Sequence, residues 1–381
     1  MARLHGFTKK QILDIYSKMA LSRRLDEKML ILLKQGKSFF HIGASGHEAA
    51  QLAAASAMRP GEDWAYPYYR DAAFCIGLGM TSREQLLCFL AKADDPNSGG
   101  RQMPQHYGHK ALRIVSQSSP TGTQFLQAVG CAMAQKMEKT KDVVYVSAGE
   151  GTTSQGDFHE ALNWSSNTKA PVIFHIQDNK YAISTHKSEQ TADSIYAMTA
   201  GYKNLSRYDV NGTDYFETNL AFKLAVERAR KGKGPSLIVS NVVRLLPHSS
   251  SDDQRKYRTE DDLAEDRKRD PLTVLKDQCI LDKIISKKEF EKVRNEIETQ
   301  VDSDAEWADA QDHPDVDTVL EHIYSVDTAV DEPEINAIAE KIVIVDAINH
   351  ALKEEMVRND KMVIYGQDIA DPKGGVFTAT K

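Results

Sequence analysis

The sequence predicts an α/β fold, a parallel sheet flanked by helices, with a helical region ahead of it and a second, truncated α/β domain behind it. Three observations carry that reading. A β-branched run, Val143-Val144-Tyr145-Val146, leads into Gly149-Glu150-Gly151. A second run, residues 172–176, leads into Asp178-Asn179, with 26 residues between the two polar clusters. The stretch 158–167 between them reads as helix, so the unit is strand, loop, helix, strand. Both polar clusters then fall at the carboxyl ends of neighbouring strands, where open α/β sheets bind ligands.

The remaining elements follow in chain order. Residues 8–35 form an amphipathic helix, with Ile12, Ile15, Met19, Leu25, Met29 and Leu32 on related faces. Residues 45–58 are an alanine-rich helix suited to close burial. Thr81-Ser82-Arg83-Glu84 has the spacing of a capping box ahead of the apolar run 86–90. Residues 94–108 are a long irregular stretch, and such loops inside compact domains are often functional. Ser119-Pro120 opens a small-residue helix over 121–137. Strands return at 206–210 and 236–243, the second mostly apolar, as a buried parallel strand should be. Residues 244–258 are a polar loop and 259–300 are charged helix.

Residues 301–334 are acid-rich and read as a linker or surface arm. Beyond it, 342–356 is helical, 362–365 is a strand, and GQDIAD precedes GGVF. One helix and one strand over about 45 residues hold no stable core alone, so this end reads as the first piece of a domain. The expected organisation is residues 1–300, a linker 301–334, and 335–381.

A net charge of -7 argues against a primary role on nucleic acid or an anionic membrane. No apolar run is long enough to span a bilayer. The N-terminus has no apolar signal core and few arginines. Four cysteines are scattered with no CxxC, which disfavours zinc and disulfides and makes a cytoplasmic setting the expectation.

The polar clusters suit a diphosphate held through Mg²⁺. Two like charges about 4 Å apart cost roughly 4 kcal/mol at an effective dielectric near 20. A Mg²⁺ between carboxylate and phosphate makes that attraction instead, and it takes hard oxygens. Glu150 offers a carboxylate oxygen, Asn179 an amide oxygen and Tyr181 a backbone carbonyl. Gly149 and Gly151 let N–H groups approach phosphates. The rival reading is a dinucleotide fingerprint, with Asp178 as the ribose acid, although Ser154 stands where its third glycine belongs. This segment alone leaves both readings open.

The spacing resembles the thiamine diphosphate signature, GDG followed by NN, with Glu150 for the acid and Asp178 for the first asparagine. Further segments resemble the α subunit of the 2-oxoacid dehydrogenase E1 component, closest to the branched-chain type. They are Tyr69-Arg70-Asp71, GRQMPQHYG at 100–108, SSPTGTQ at 118–124, Tyr181-Ala182-Ile183-Ser184-Thr185 and His248-Ser249. The resemblance covers about residues 10–285, and from 338 the tail resembles the start of an E1 β subunit, as in a fusion cut short.

The resemblance implies a thiamine diphosphate-binding fold and assigns residues one by one. Tyr69 and Arg70 become diphosphate contacts, the planar guanidinium being able to bond two phosphate oxygens. Ser119 and Thr121 become cofactor contacts, as do Gly149, Gly151 and Thr152. Glu150, Asn179 and Tyr181 become Mg²⁺ ligands. Ser118, Pro120, Thr123 and Gln124 resemble a potassium site, though the same residues also serve as plain helix caps. Gln177 stands where an Arg is expected, keeping a hydrogen bond to phosphate but no charge. His248 becomes the histidine near the reacting centre, able to move a proton near neutral pH; a solvated loop histidine is the bland alternative. His106 is a loop candidate for substrate or lipoyl contact. Ser249 to Ser251 lie in the loop that kinases modify in mitochondrial relatives.

The implied activity is oxidative decarboxylation of a 2-oxoacid, branched-chain favoured, with acyl transfer to the lipoyl group of an E2 partner. An E1 β-type domain completes the site, so this chain is expected to be inactive alone and the assembly to be a homo-oligomer. The alternatives are the same reaction on pyruvate or acetoin, a non-catalytic scaffold, and a nicotinamide oxidoreductase.

Overall fold

A computed structural model describes residues 3–324, 341–370, 373–375 and 377–381. It divides into two compact units, Met1–Leu320 and Glu321–Lys381. The first is built on five parallel strands: β1 (Trp64–Tyr66), β2 (Val144–Gly149), β3 (Val172–Asp178), β4 (Ser206–Val210) and β5 (Ser236–Asn241). Their order is β1-β2-β3-β5-β4. The register sets Gly149 beside Gln177 and Asp178 beside Asn241. The expected strand–helix–strand unit is present, and both polar clusters lie at adjoining strand ends.

Helices cover both faces. In chain order they are α1 (Lys9–Lys34), α2 (Glu48–Ala55), α3 (Ala72–Leu78), α4 (Ser82–Phe89), α5 (Thr123–Met137), α6 (Gly156–Thr168) and α7 (Tyr215–Arg230). They are followed by α8 (Glu260–Lys268), α9 (Pro271–Leu281) and α10 (Lys287–Asp309). The predicted box opens α4: Glu84 N donates to Thr81 Oγ1 at 3.2 Å, and Thr81 N to Glu84 Oε2 at 2.7 Å. Strand alternation sorts the core into two layers. Val144, Val146, Val172 and Phe174 pack against Phe125 and Ala128 of α5 and Phe158 and Leu162 of α6. Tyr145, Ile173 and Ile238 face the other way, into a core with Leu52, Phe74 and Phe222.

Toward the strand ends that second face turns polar. The Tyr145 hydroxyl lies 2.8 Å from His175 Nδ1, and His175 Nε2 lies 2.9 Å from Ser240 Oγ. Tyr145 and Ser147 hydroxyls both donate to Asp71. Burial lifts the Asp71 carboxyl to about 7 and pushes His175 and His47 down to about 3.

Two expectations change. The acid-rich stretch from 301 is not linker at its start, because α10 runs through Asp309 with Val301, Ala305 and Ala308 buried. Its acids hide an apolar stripe, and Asp304 accepts from Ser82 Oγ and Arg83 Nε. Residues 325–334 of that stretch lie outside the described residues. In the second unit α11 (Ile344–Arg358) forms as predicted, but 362–365 is irregular rather than a strand. A lone extended segment has no neighbour to take its backbone hydrogen bonds.

An imidazole near 6.5 when unfolded and held neutral in the fold adds stability that is intact above about pH 6.5 and lost as pH falls toward its folded value. His175→Gln should therefore lose stability less steeply than the parent, by about 1.4 kcal/mol per pH unit between those limits. Urea titrations of both proteins at pH 7, 6 and 5 check this; parallel pH dependences contradict it.

Candidate active site

A cleft of about 280 Å³ opens where β2 and β3 end. Gly149, Glu150, Gly151 and Thr152 enter it from β2 and the 3-10 turn Glu150–Ser154. Asn179 and Tyr181 enter from the end of β3, Tyr69 and Arg70 from the loop before α3, Thr121 from the approach to α5, and His248 from the loop after β5. Residues more than 170 positions apart in sequence, Arg70 and His248, thus touch: Arg70 Nη2 donates to the His248 carbonyl at 3.2 Å.

Glu150 is 2% exposed, and burial followed by the charge of Asp178 lifts its carboxyl to about 7. Its Oε2 accepts the Asn179 N–H at 3.1 Å, so acid and amide stand together. Asp178, which replaces a neutral residue of the signature, is tied down by Lys187 Nζ at 2.6 Å. Across the cleft Arg70 is also 2% exposed. Its Nη1 donates to the Gly43 carbonyl at 2.5 Å, and among the described residues no carboxylate pairs with it. Its partners are two carbonyls and the His248 ring, so its charge meets no opposite charge among the described residues. One wall thus lacks an anion and the other lacks a cation.

His248 is held from its backbone. Its N–H donates to Asp252 Oδ2 at 2.8 Å, and the Tyr257 hydroxyl donates to the same oxygen at 2.5 Å. Tyr257 in turn accepts from Arg244 Nη2 at 2.7 Å, whose guanidinium also grips the Ile183 carbonyl. Burial, then Arg70 and Arg244, push the imidazole down to about 4. Arg70 Nη2 lies 3.4 Å from Nδ1 and can only donate, so Nδ1 is the acceptor and Nε2 carries the hydrogen.

Gln177 is corrected. Its side chain is fully buried behind the cleft, bonded to His47, Gln51 and Asp71, and it does not line the cleft. Strand alternation turns it toward the α2 face. Ser118, Ser119, Pro120, Thr123 and Gln124 also lie outside the cleft lining. Ser119 Oγ meets His106 Nε2 at 3.2 Å, and His106, in the expected irregular stretch, is buried. Thr123 Oγ1 donates to the Pro120 carbonyl, and Gln124 Oε1 accepts the Gly122 N–H. Ser249 is buried, with its hydroxyl 3.0 Å from that of Ser251.

The sequence reading missed Tyr68, Ala182 and Ile183 of the lining, and Arg244 as the brace of the His248 loop. Ile183 carried one signal only in the structure: a β-branched residue at φ 56°, a strained conformation of the kind that clusters at working sites. Arg244 sat in a polar loop, which reads as solvated.

Gly151 has no room for a side chain. A Cβ there would lie 2.5 Å from Ala182 Cβ. Gly151→Ala should destabilise the chain by about 1–3 kcal/mol through overpacking, and Gly151→Ala with Ala182→Gly should recover most of it. Denaturant midpoints of the single and double variants read this out; a single variant as stable as the parent refutes the close contact.

Comparison with known proteins agrees with this geometry. Residues 16–317 match the family described as "Dehydrogenase E1 component". The chain is 40% identical over 321 residues to 2-oxoisovalerate dehydrogenase subunit alpha of Bacillus subtilis, covering 84% of this chain and 97% of that protein. It is 36% identical over 266 residues to pyruvate dehydrogenase E1 component subunit alpha of Staphylococcus aureus, covering 70% and 69%. A third relative, 2-oxoisovalerate dehydrogenase subunit alpha 1, mitochondrial, of Arabidopsis thaliana, is 36% identical over 258 residues, 67% of this chain and 54% of that one. The chain belongs to the dehydrogenase E1 component family, as an α-type 2-oxoacid dehydrogenase chain of a thiamine diphosphate-dependent enzyme.

Proposed function

We propose that this chain is the α-type part of a branched-chain 2-oxoacid dehydrogenase, decarboxylating its substrate and passing the acyl group to the lipoyl group of an E2 partner. The observation that carries the site is two buried ionisable groups of opposite sign facing one cleft, neither in an ion pair among the described residues. Arg70 lacks an anion and Glu150 lacks a cation, and a diphosphate bound through Mg²⁺ supplies both.

In this reading Glu150, Asn179 and the Tyr181 carbonyl hold the Mg²⁺. Arg70 and Tyr69 bind diphosphate oxygens from one side, and the backbone of Gly151 and Thr152 from the other. Thr121 lines the same cleft, with Ser119 just outside it. Thr123 Oγ1 donates to the Pro120 carbonyl and Gln124 Oε1 accepts the Gly122 N–H, and both oxygens keep further lone pairs, so with Ser118 and Pro120 they suit a potassium ion. When bound, thiamine diphosphate supplies the carbon nucleophile and stores the electrons released by decarboxylation. His248 presents Nε2–H, braced by Asp252, and moves a proton. Neutralising Arg70 with a diphosphate removes one of the two charges that add to burial in suppressing His248, so its imidazole shifts upward.

The branched-chain substrate is supported by the 40% identity to a 2-oxoisovalerate dehydrogenase chain over nearly its whole length. Pyruvate is the second reading, supported by the 36% relative. The family also implies a β-type partner. The tail resembles the start of such a chain, and α11 exposes Ile344, Ile348 and Met356, an apolar stripe that a β-type fold would cover. The active enzyme is then an oligomer with its site completed by that domain, and this chain alone turns over no 2-oxoacid.

Calorimetric titration of Mg²⁺-thiamine diphosphate into the chain should show saturable binding that Glu150→Ala abolishes. Silence from the chain, both alone and with a β-type partner, would sink the thiamine reading. In the assembled enzyme, 3-methyl-2-oxobutanoate should turn over faster than pyruvate; the reverse order makes pyruvate the substrate.

A further inference from the structure

Arg70 carries a positive charge into the cleft, yet among the described residues no carboxylate holds it in place. Two buried amides brace the turn it stands on. Gln51 of α2 donates from Nε2 to the Arg70 carbonyl at 2.9 Å and accepts the Ala73 N–H on Oε1 at 3.1 Å. The same Nε2 donates to Gln177 Oε1 at 2.9 Å. Gln177 Nε2 then donates to Asp71 Oδ1 at 2.5 Å. Gln51 and Gln177 are both fully buried. The chain of bonds closes on itself: Arg70 carbonyl, Gln51, Gln177, Asp71, and back along the backbone to Arg70. It ties α2 and β3 to the residue that faces the ligand.

We infer that Gln177, together with Gln51, is a positioning residue that holds Arg70 for diphosphate binding, acting through the Tyr69-Arg70-Asp71 turn and not by touching phosphate. The inference rests on the cleft being the diphosphate site. The choice of an amide follows from its neighbours. Position 177 must accept from Gln51 and from His47 Nδ1, 2.9 Å away, while donating to Asp71. Only an uncharged side chain with both a donor and an acceptor at one end does all three. A carboxylate would face Asp71 as a like charge, and an ammonium would leave Gln51 and His47 without an acceptor. Each bond is buried, so breaking one leaves a partner unsatisfied.

A residue that acts through Arg70 should have no effect once Arg70 is gone. The test is a double-mutant cycle on the full chain, with Mg²⁺-thiamine diphosphate as the probe and affinity as the readout. Gln177→Met keeps the shape and removes the amide. In the parent it should weaken binding about tenfold, the size of one lost hydrogen bond to a charged group. In the Arg70→Met background it should change affinity less than about twofold. Gln51→Met replaces Gln177→Met in the same cycle if the latter does not fold. Gln177→Glu should also weaken binding, and Gln177→Glu with Asp71→Asn, which reverses donor and acceptor, should restore it. An equal loss in both backgrounds, or no loss in the parent, overturns the inference and leaves the diphosphate reading standing. A parent that binds no probe, both alone and with a β-type partner, overturns both.

Discussion

The parallel pairing of β2 with β3 is the constraint on which the site depends. It places Gly149 beside Gln177 and brings the loops after the two strands side by side. Glu150 and Asn179 meet because those strands end level, not because either residue seeks the other. The price of this arrangement is a carboxylate and a guanidinium both taken out of water with no mutual ion pair. Under the proposed reading, a ligand that brings both a cation and an anion offsets that cost.

The same deficit governs proton chemistry. His248 is depressed first by burial and then by two nearby arginines, and in the proposed reading a diphosphate is the counter-charge to one of them. The proposed binding and proton transfer would thus be coupled through Arg70. Asp252 and Tyr257 fix the backbone of the His248 loop, so the imidazole changes its protonation without losing its place.

Much of this was legible in the sequence, for physical reasons that differ from element to element. The runs before Gly149 and Asp178 are β-branched and fully buried, so propensity and burial agreed and both strands appeared where expected. That Glu150, Asn179, Tyr181, Arg70 and His248 share one cleft was recoverable from motif spacing, because each motif ends a strand or opens a loop at the same edge of the sheet. The start of the acid-rich stretch misled because α10 buries only one stripe and pairs an acid across it, and composition averages that stripe away. Gln177 misled because spacing along a chain says nothing about which face of a strand a residue occupies until the register is known. The segment 362–365 has the composition of a strand without a neighbour to pair with.

The polar row on one face of β3 has a consequence for how the sheet assembles. Along that strand Ile173, His175 and Gln177 point to one side, and Val172, Phe174 and Ile176 to the other. Apolar packing alone tolerates slippage, since one aliphatic contact substitutes for another. Here a shift by one residue would drive an imidazole and an amide into the hydrocarbon layer beneath α5 and α6 and set phenylalanine against Asp71. The row of hydrogen-bonding groups thus works as a key cut for one alignment, the one that sets the loops after β2 and β3 side by side.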